Sequence, residues 1–284
     1  MSYLLFEEDE YLQFQNIPEW SKDNKFIEKY YRKDNKNWSY YIKSLFKWHN
    51  ETINIWSHLL GFLGILGISV YVNITKYFDI DKYITQDICF NLFTSSMMIC
   101  FLFSSIMHLL YPKNEKICER TQFLDYLGIN VLIASTFSTF VYYAFYCQRN
   151  IQIIYYIIIL SLSFIVLPIS KMKIFMIYKY RFIRPTVFLL YACSILVPVI
   201  HRSTYKEIND KQFFTELEIF SISALMYIIG IILYITRFPE SYWSGKFDII
   251  GSSHQLFHIF VLLGGLTSLY AVLKTMYSDN KLIC

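Results

Sequence analysis

The chain has 284 residues, 55% of them hydrophobic and only 17% charged, with a formal net charge of +4. A soluble domain of this size is less apolar and more charged, so an ordinary soluble globular protein is excluded. The mild positive balance includes no long basic block, which excludes a nucleic-acid-binding surface.

Residues 1–52 precede the first apolar block and read as a cytoplasmic N-terminal segment. Glu7, Glu8, Asp9 and Glu10 stand where a signal peptide needs a basic start and an apolar run, so none is expected. With Tyr11, Phe14, Trp20, Phe26, Tyr30 and Tyr31, the segment is too aromatic for a disordered tail. Residues 38–52 are expected to form a short helix lying on the membrane, its Trp, Tyr and Lys at headgroup level.

Seven apolar segments follow: 53–75, 88–111, 125–147, 150–169, 185–201, 218–236 and 250–273. A bilayer core of roughly 30 Å needs about 20 apolar residues as helix, and these segments meet or approach that length. The fifth is the shortest. It begins at Pro185, which suits a helix start, and contains Pro198. The expected fold is all-α: one seven-transmembrane helix bundle over 53–275, ending in a short C-terminal tail, 276–284.

Lysine and arginine set the expected orientation. Of 26, 18 lie in the N-terminal segment and the second, fourth and sixth loops, and 8 lie on the other side. The positive-inside rule places the N-terminus in the cytoplasm and the C-terminus outside or in a lumen. The protein is therefore expected to be multi-pass, in the plasma membrane or an endomembrane. The six cysteines form no CxxC pair and read as buried apolar thiols, with no disulfide framework and no cysteine metal site.

Ionisable groups at membrane depth are costly and point to function. Here they are His58, His108, Asp125, His254 and His258, with Glu51 just ahead of the first span. The orientation puts all of them in one layer near the cytoplasmic face. His254 and His258 stand four apart, on one helical face, where two imidazoles can reach one ion. His108 supplies a third ligand from the second span. Three histidines with an open fourth position is a catalytic zinc arrangement, and zinc brings the pKa of a bound water to about 7. Imidazole ligands without cysteine favour zinc over calcium or magnesium.

Ser104 lies four residues before His108 and shares its face, where it can hydrogen-bond a bound water or a substrate carbonyl. Its plain alternative is helix packing. Asp125 is a candidate general base, and its plain alternative is a helix N-cap. His58 reads as structural, packed against the inner loops. A transporter is disfavoured, because its pathway would carry polar groups across the whole membrane. A retinal protein is disfavoured because the seventh span has no lysine before Lys274.

Several motifs carry a family resemblance. The run from Phe46 through His49, Asn50, Glu51, Thr52, Trp56 and His58 to Gly61 resembles the entry to the first span of adiponectin receptors. Ser104 to His108 and Leu124 to Ile129 resemble their second and third spans. Pro239-Glu240, Gly245 to Asp248 and Ser253 to His258 resemble the entry to the seventh, and Ile17 to Asn24 is similar to their cytoplasmic segment. The chain is thus identified as a member of the progestin and adipoQ receptor family, to which fungal zinc-homeostasis membrane proteins and hemolysin III proteins are related. The resemblance runs from residue 14 to about 273 and is weaker in spans four to six. It implies a cytoplasmic N-terminus and a zinc held by His108, His254 and His258, with Asp125 and Ser104 lining the site as catalytic residues.

The family is also similar to alkaline ceramidases. The resemblance therefore implies a zinc-binding receptor in lipid metabolism and signalling, with ceramide-type amide hydrolase activity. The implied partners are a membrane lipid, ceramide-like or a fatty acid, an extracellular ligand of unspecified nature and a second copy of the chain, with no nucleic acid. The alternative is a non-catalytic receptor, or a zinc or sterol homeostasis protein, with a structural zinc.

Overall fold

The computed structural model describes residues 11–77, 84–169, 171–172, 182–204 and 211–277. Its helices are α1 (Trp38–Ser44), α2 (Thr52–Tyr77), α3 (Ile84–Leu110), α4 (Glu115–Ala144), α5 (Arg149–Ile169), α6 (Ile183–Cys193), α7 (Leu196–Ser203), α8 (Lys211–Thr236) and α9 (Ser253–Met276). Among the described residues, seven helical stretches are long and apolar enough to cross a membrane: α2, α3, α4, α5, α6 with α7, α8 and α9. The expected seven-helix all-α bundle is borne out. Most of the C-terminal tail and much of the first, fourth and fifth loops lie outside the described residues.

The boundaries depart from the apolar runs for local reasons. The third span starts at Glu115, ten residues before the expected 125, because the Asn114 side chain accepts a hydrogen bond from the Ile117 N–H at 3.0 Å. The first turns carry the exposed Glu115, Lys116, Glu119 and Arg120. A hydropathy reading cannot see a helix that begins in water. Asp125 therefore lies inside α4, and the N-cap reading of it is corrected.

The fifth span is two helices that meet at Ser194 and Ile195. Pro198 is the third residue of α7, where the missing N–H needs no intrahelical partner. Pro185 likewise sits in the first turn of α6 rather than opening it. The seventh span starts at Ser253 because Gly251 holds φ +88°, a conformation that suits glycine.

Within the bundle α2 packs on α3 and α9, α3 on α4, α4 on α5 and α6, and α8 on α9. Lipid tails are as apolar as the helices, so close van der Waals packing replaces the hydrophobic drive that water would supply. A Cβ on Gly128 would stand 2.8 Å from the Cα of Cys100, so only glycine lets α4 lie this close to α3. One apolar core joins α2, α3, α4 and α9 around Ile65, Phe93, Met97, Phe101 and Leu269. A second joins α4, α5 and α6 around Phe137, Phe140, Tyr155 and Phe188.

The N-terminal segment is ordered. Strands β1 (Tyr11–Leu12) and β2 (Tyr31–Arg32) pair antiparallel, and Ile17, Ile27 and Tyr31 form a small core. The segment packs against the loop between α8 and α9. Gly245 N–H donates to the Phe26 carbonyl at 3.0 Å. Asp248 accepts from the Glu28 and Lys29 N–H groups at 2.8 and 3.1 Å. The surface helix expected over 38–52 is the shorter α1, which exposes Trp38 and Ile42 and is followed by exposed Phe46.

The cysteine reading needs correction. Cys147, just past the end of α4, is disulfide-bonded. Cys89, Cys100, Cys118 and Cys193 are free, and Cys193 is exposed rather than buried. Sequence spacing alone does not report a bridge that the fold creates.

Candidate metal centre

Two helix ends build the site. His108 lies in the last turn of α3. The carbonyls of that turn have no intrahelical partner. Arg32, buried in the membrane-proximal segment, donates to the His108 carbonyl at 2.5 Å and to the Leu109 carbonyl at 2.8 Å. A cation at a helix C-terminus also complements its dipole.

His254 is the second residue of α9, and His258 follows one turn later. The start of α9 is held by Glu240, which is fully buried. One oxygen accepts from the Ser253 N–H at 2.7 Å. The other accepts from the Ser253 hydroxyl and from Asn24 Nδ2, the latter at 3.0 Å. Each ligand-bearing helix end is thus locked by a buried charged side chain.

The rings converge. His108 Nε2 and His254 Nε2 are 3.2 Å apart. The ring centroids of His108 and His258 are 4.7 Å apart, and those of His254 and His258 4.8 Å. One donor atom from each of the three lies within 4.8 Å of the others, so the triad can hold a metal ion. Two imidazole nitrogens on one tetrahedral zinc stand roughly 3.3 Å apart, given Zn–N lengths of about 2.0–2.1 Å. The 3.2 Å pair fits that spacing.

The outward nitrogens are occupied in the manner of ligating histidines. His108 Nδ1 meets Glu51 Oε2 at 2.8 Å, and His258 Nδ1 meets the Asn54 carbonyl at 3.1 Å. Both acceptors lack a proton, so each Nδ1 carries one and leaves its Nε2 lone pair facing inward. Glu51 is itself held by Asn54 Nδ2 at 2.6 Å and the Tyr111 hydroxyl at 3.3 Å. His49 Nδ1 accepts the Glu51 N–H at 3.0 Å, and burial pushes the His49 pKa well down, which keeps that acceptor neutral.

Ser104 on α3 and Asp125 on α4 lie within electrostatic reach of one another, and Asp125 within that of His108. Ser104 is buried, Asp125 only partly so. His58, expected to pack against the inner loops, packs instead within the bundle. Its ring stacks on His258 with centroids 3.8 Å apart and 10° between planes, and Phe101 lies on it at 5.0 Å. It buttresses a ligand.

Sequence reasoning placed Glu51 in the right layer but assigned it no task, and it passed over Arg32, Asn54 and Glu240 as parts of the centre. The available signal for Glu51 was a carboxylate one turn ahead of a hydrophobic span. Replacing it by glutamine is expected to lower metal affinity about 10–100-fold, the usual cost of losing a ligand's outer partner. Competition against a chelator of known affinity measures this, and an unchanged affinity would remove Glu51 from the site.

The fold and the triad define a multi-pass membrane protein with a three-histidine centre able to hold a metal ion. A sequence model of the haemolysin-III related family matches residues 46–269, and the chain belongs to that family. It is 32% identical over 271 residues to the adiponectin receptor protein of Drosophila melanogaster, covering 94% of this chain and 61% of that protein. It is 32% identical over 265 residues to the ADIPOR-like receptor IZH2 of Saccharomyces cerevisiae, covering 91% and 82%. To heptahelical transmembrane protein 1 of Arabidopsis thaliana it is 31% identical over 271 residues, covering 93% and 80%. The chain spans about three-fifths of the length of the animal relatives it matches and about four-fifths of the yeast and plant ones.

Proposed function

We propose that this chain is an adiponectin receptor-like zinc protein whose centre hydrolyses the amide of a ceramide-like membrane lipid. The observation that carries the reading is the convergence of three imidazoles, two of them with Nδ1 held by an outer acceptor, near Asp125 and Ser104. A bound zinc supplies a Lewis acid and a water activated near neutral pH. His108, His254 and His258 would hold the ion, and Glu51 and Asn54 orient two of them. Asp125 would take a proton from the attacking water and return it to the leaving amine, and Ser104 would hydrogen-bond the amide carbonyl or the water.

The receptor reading is supported by the likeness to the Drosophila adiponectin receptor protein. A cytoplasmic N-terminus is supported by the Lys and Arg bias and by Cys147. That disulfide-bonded cysteine lies at the end of α4 away from the histidines, and disulfides persist on the oxidising side of a membrane.

The test is fatty-acid release from ceramide by purified protein in detergent, with and without a chelator. Release is expected to disappear with the chelator and return with added zinc. Equal release in both arms, or none in either, would sink the hydrolase reading. A second reading, a structural zinc, draws on the short contact between α3 and α9, which an ion between the ligands would tie together.

A further inference from the structure

The short helix α1 has two unlike sides. Its inner side is held by the protein. Tyr41 is fully buried, and its hydroxyl donates to the Lys33 carbonyl at 2.9 Å. Ser44 is buried, and its hydroxyl accepts from Arg32 Nη1 at 2.9 Å, the arginine that also grips the end of α3. Just past the helix, the Leu45 carbonyl accepts from Trp56 Nε1 at 2.8 Å, which ties α1 to the first turns of α2. These bonds fix which side faces out.

The outer side carries Trp38, Ile42 and Phe46, spaced four apart as one stripe and 49%, 58% and 78% exposed. Large apolar side chains left in water are costly, and a stripe of them marks a surface that something covers. The stripe does not end at α1. The Phe46 and Trp56 rings meet edge to face at 6.2 Å. Leu60 and Leu63, one and two turns further along α2, are exposed on a helix long and apolar enough to cross the membrane. The outer side of α1 is thus continuous with the lipid-facing side of α2, and the surface of the same bilayer covers both.

Charge decides which lipids suit it. Between Arg32 and Glu51 the sequence holds four lysines and one acid, Asp34. Lys43, next to Ile42, is exposed on the flank of the stripe, and Lys36 is exposed just ahead of the helix. Lys113, which follows α3, stands over the Trp38 ring at 4.5 Å and donates to the Lys36 carbonyl at 2.7 Å. It adds an ammonium from a second element beside the same stripe. A lysine can lay its stem along apolar surface and hold its ammonium at the level of lipid phosphates.

We propose that α1 and the turn after it, with Lys36, Lys43 and Lys113, form a surface that seats on the bilayer and selects anionic phospholipid headgroups over zwitterionic ones. The apolar stripe supplies insertion. The lysines supply the preference, about fivefold for each ammonium near an anionic surface. The assignment takes the N-terminal segment as cytoplasmic, as proposed above, the side on which anionic phospholipids collect. It stands whether or not the histidine centre cleaves an amide.

The test is hydrogen exchange of the full chain in nanodiscs of phosphatidylcholine alone and of phosphatidylcholine with phosphatidylserine. Backbone exchange over residues 36–47 is expected to slow about fivefold or more in the anionic discs, with residues 58–75 of α2 unchanged. Lys36→Gln combined with Lys43→Gln should erase the difference, and so should molar salt. Equal exchange in the two discs overturns the assignment and leaves the stripe to a protein partner. A difference that survives the double variant overturns it as well. If the double variant does not fold, the salt series on the unaltered chain decides: a difference that persists in molar salt rejects the site.

Discussion

Replacing His254 by alanine is expected to take the zinc content of the purified protein from about one ion per chain to near zero. Structural zinc sites bind with about 10–16 kcal/mol shared over four ligands, so one ligand carries roughly 2.5–4 kcal/mol, on the order of a hundredfold or more in affinity. Among the described residues, no further donor converges with the triad to replace it. His58 is the nearest other histidine, but it lies flat on the face of His258 and is not among the groups whose donor atoms converge. His58→Ala is therefore the control that should retain the ion. A zinc content near zero in the unaltered protein would remove the central reading.

Acid supplies an independent arm. Each imidazole must be neutral to bind, so protons compete with the metal as pH falls. The ion is expected to stay at about pH 7.5 and to leave as the medium is acidified. Melting midpoints of the same samples separate the two roles of zinc. A structural ion lowers the midpoint when it leaves, and a catalytic one removes turnover with little change in melting.

What the sequence made legible was set by the range of each interaction. Span number and type follow from runs of apolar residues, and α2, α3, α8 and α9 overlap their expected segments. The triad was legible because two ligands repeat at one helical turn and the third is a histidine at the matching depth of another span. The start of α4 was not, because Asn114 caps a charged stretch that no hydropathy count includes. Nor was the tie between Arg32 and the end of α3, 76 positions apart in the chain. The family motif around Pro239-Glu240 and Gly245 to Asp248 was visible as a string, but its physical content was hidden: Glu240 and Asp248 receive donors from residues 24 to 29. Local pattern reports elements, while contacts over two hundred positions apart report only in three dimensions.

Glu240→Ala tests that hidden content, and its expected cost is about 3 kcal/mol of stability. The carboxylate accepts three hydrogen bonds, from the Ser253 N–H, the Ser253 hydroxyl and Asn24 Nδ2, and none of these groups is exposed. Buried donors left without acceptors cost about 1–3 kcal/mol each, and the Ser253 hydroxyl can rotate to limit its share. The first turn of α9 also loses an anion at the positive end of its dipole. His254 is the next residue, so fraying of this turn moves a metal ligand. Zinc affinity should therefore fall with Glu240→Ala, though less than with His254→Ala, and backbone hydrogen exchange should rise over residues 24–30. Glu240→Gln should fall between the alanine variant and the unaltered protein, since its single carbonyl can serve only part of the donor set while its amide faces another donor. If the alanine variant melts and exchanges like the unaltered protein, Glu240 does not couple the N-terminal segment to the metal-bearing helix.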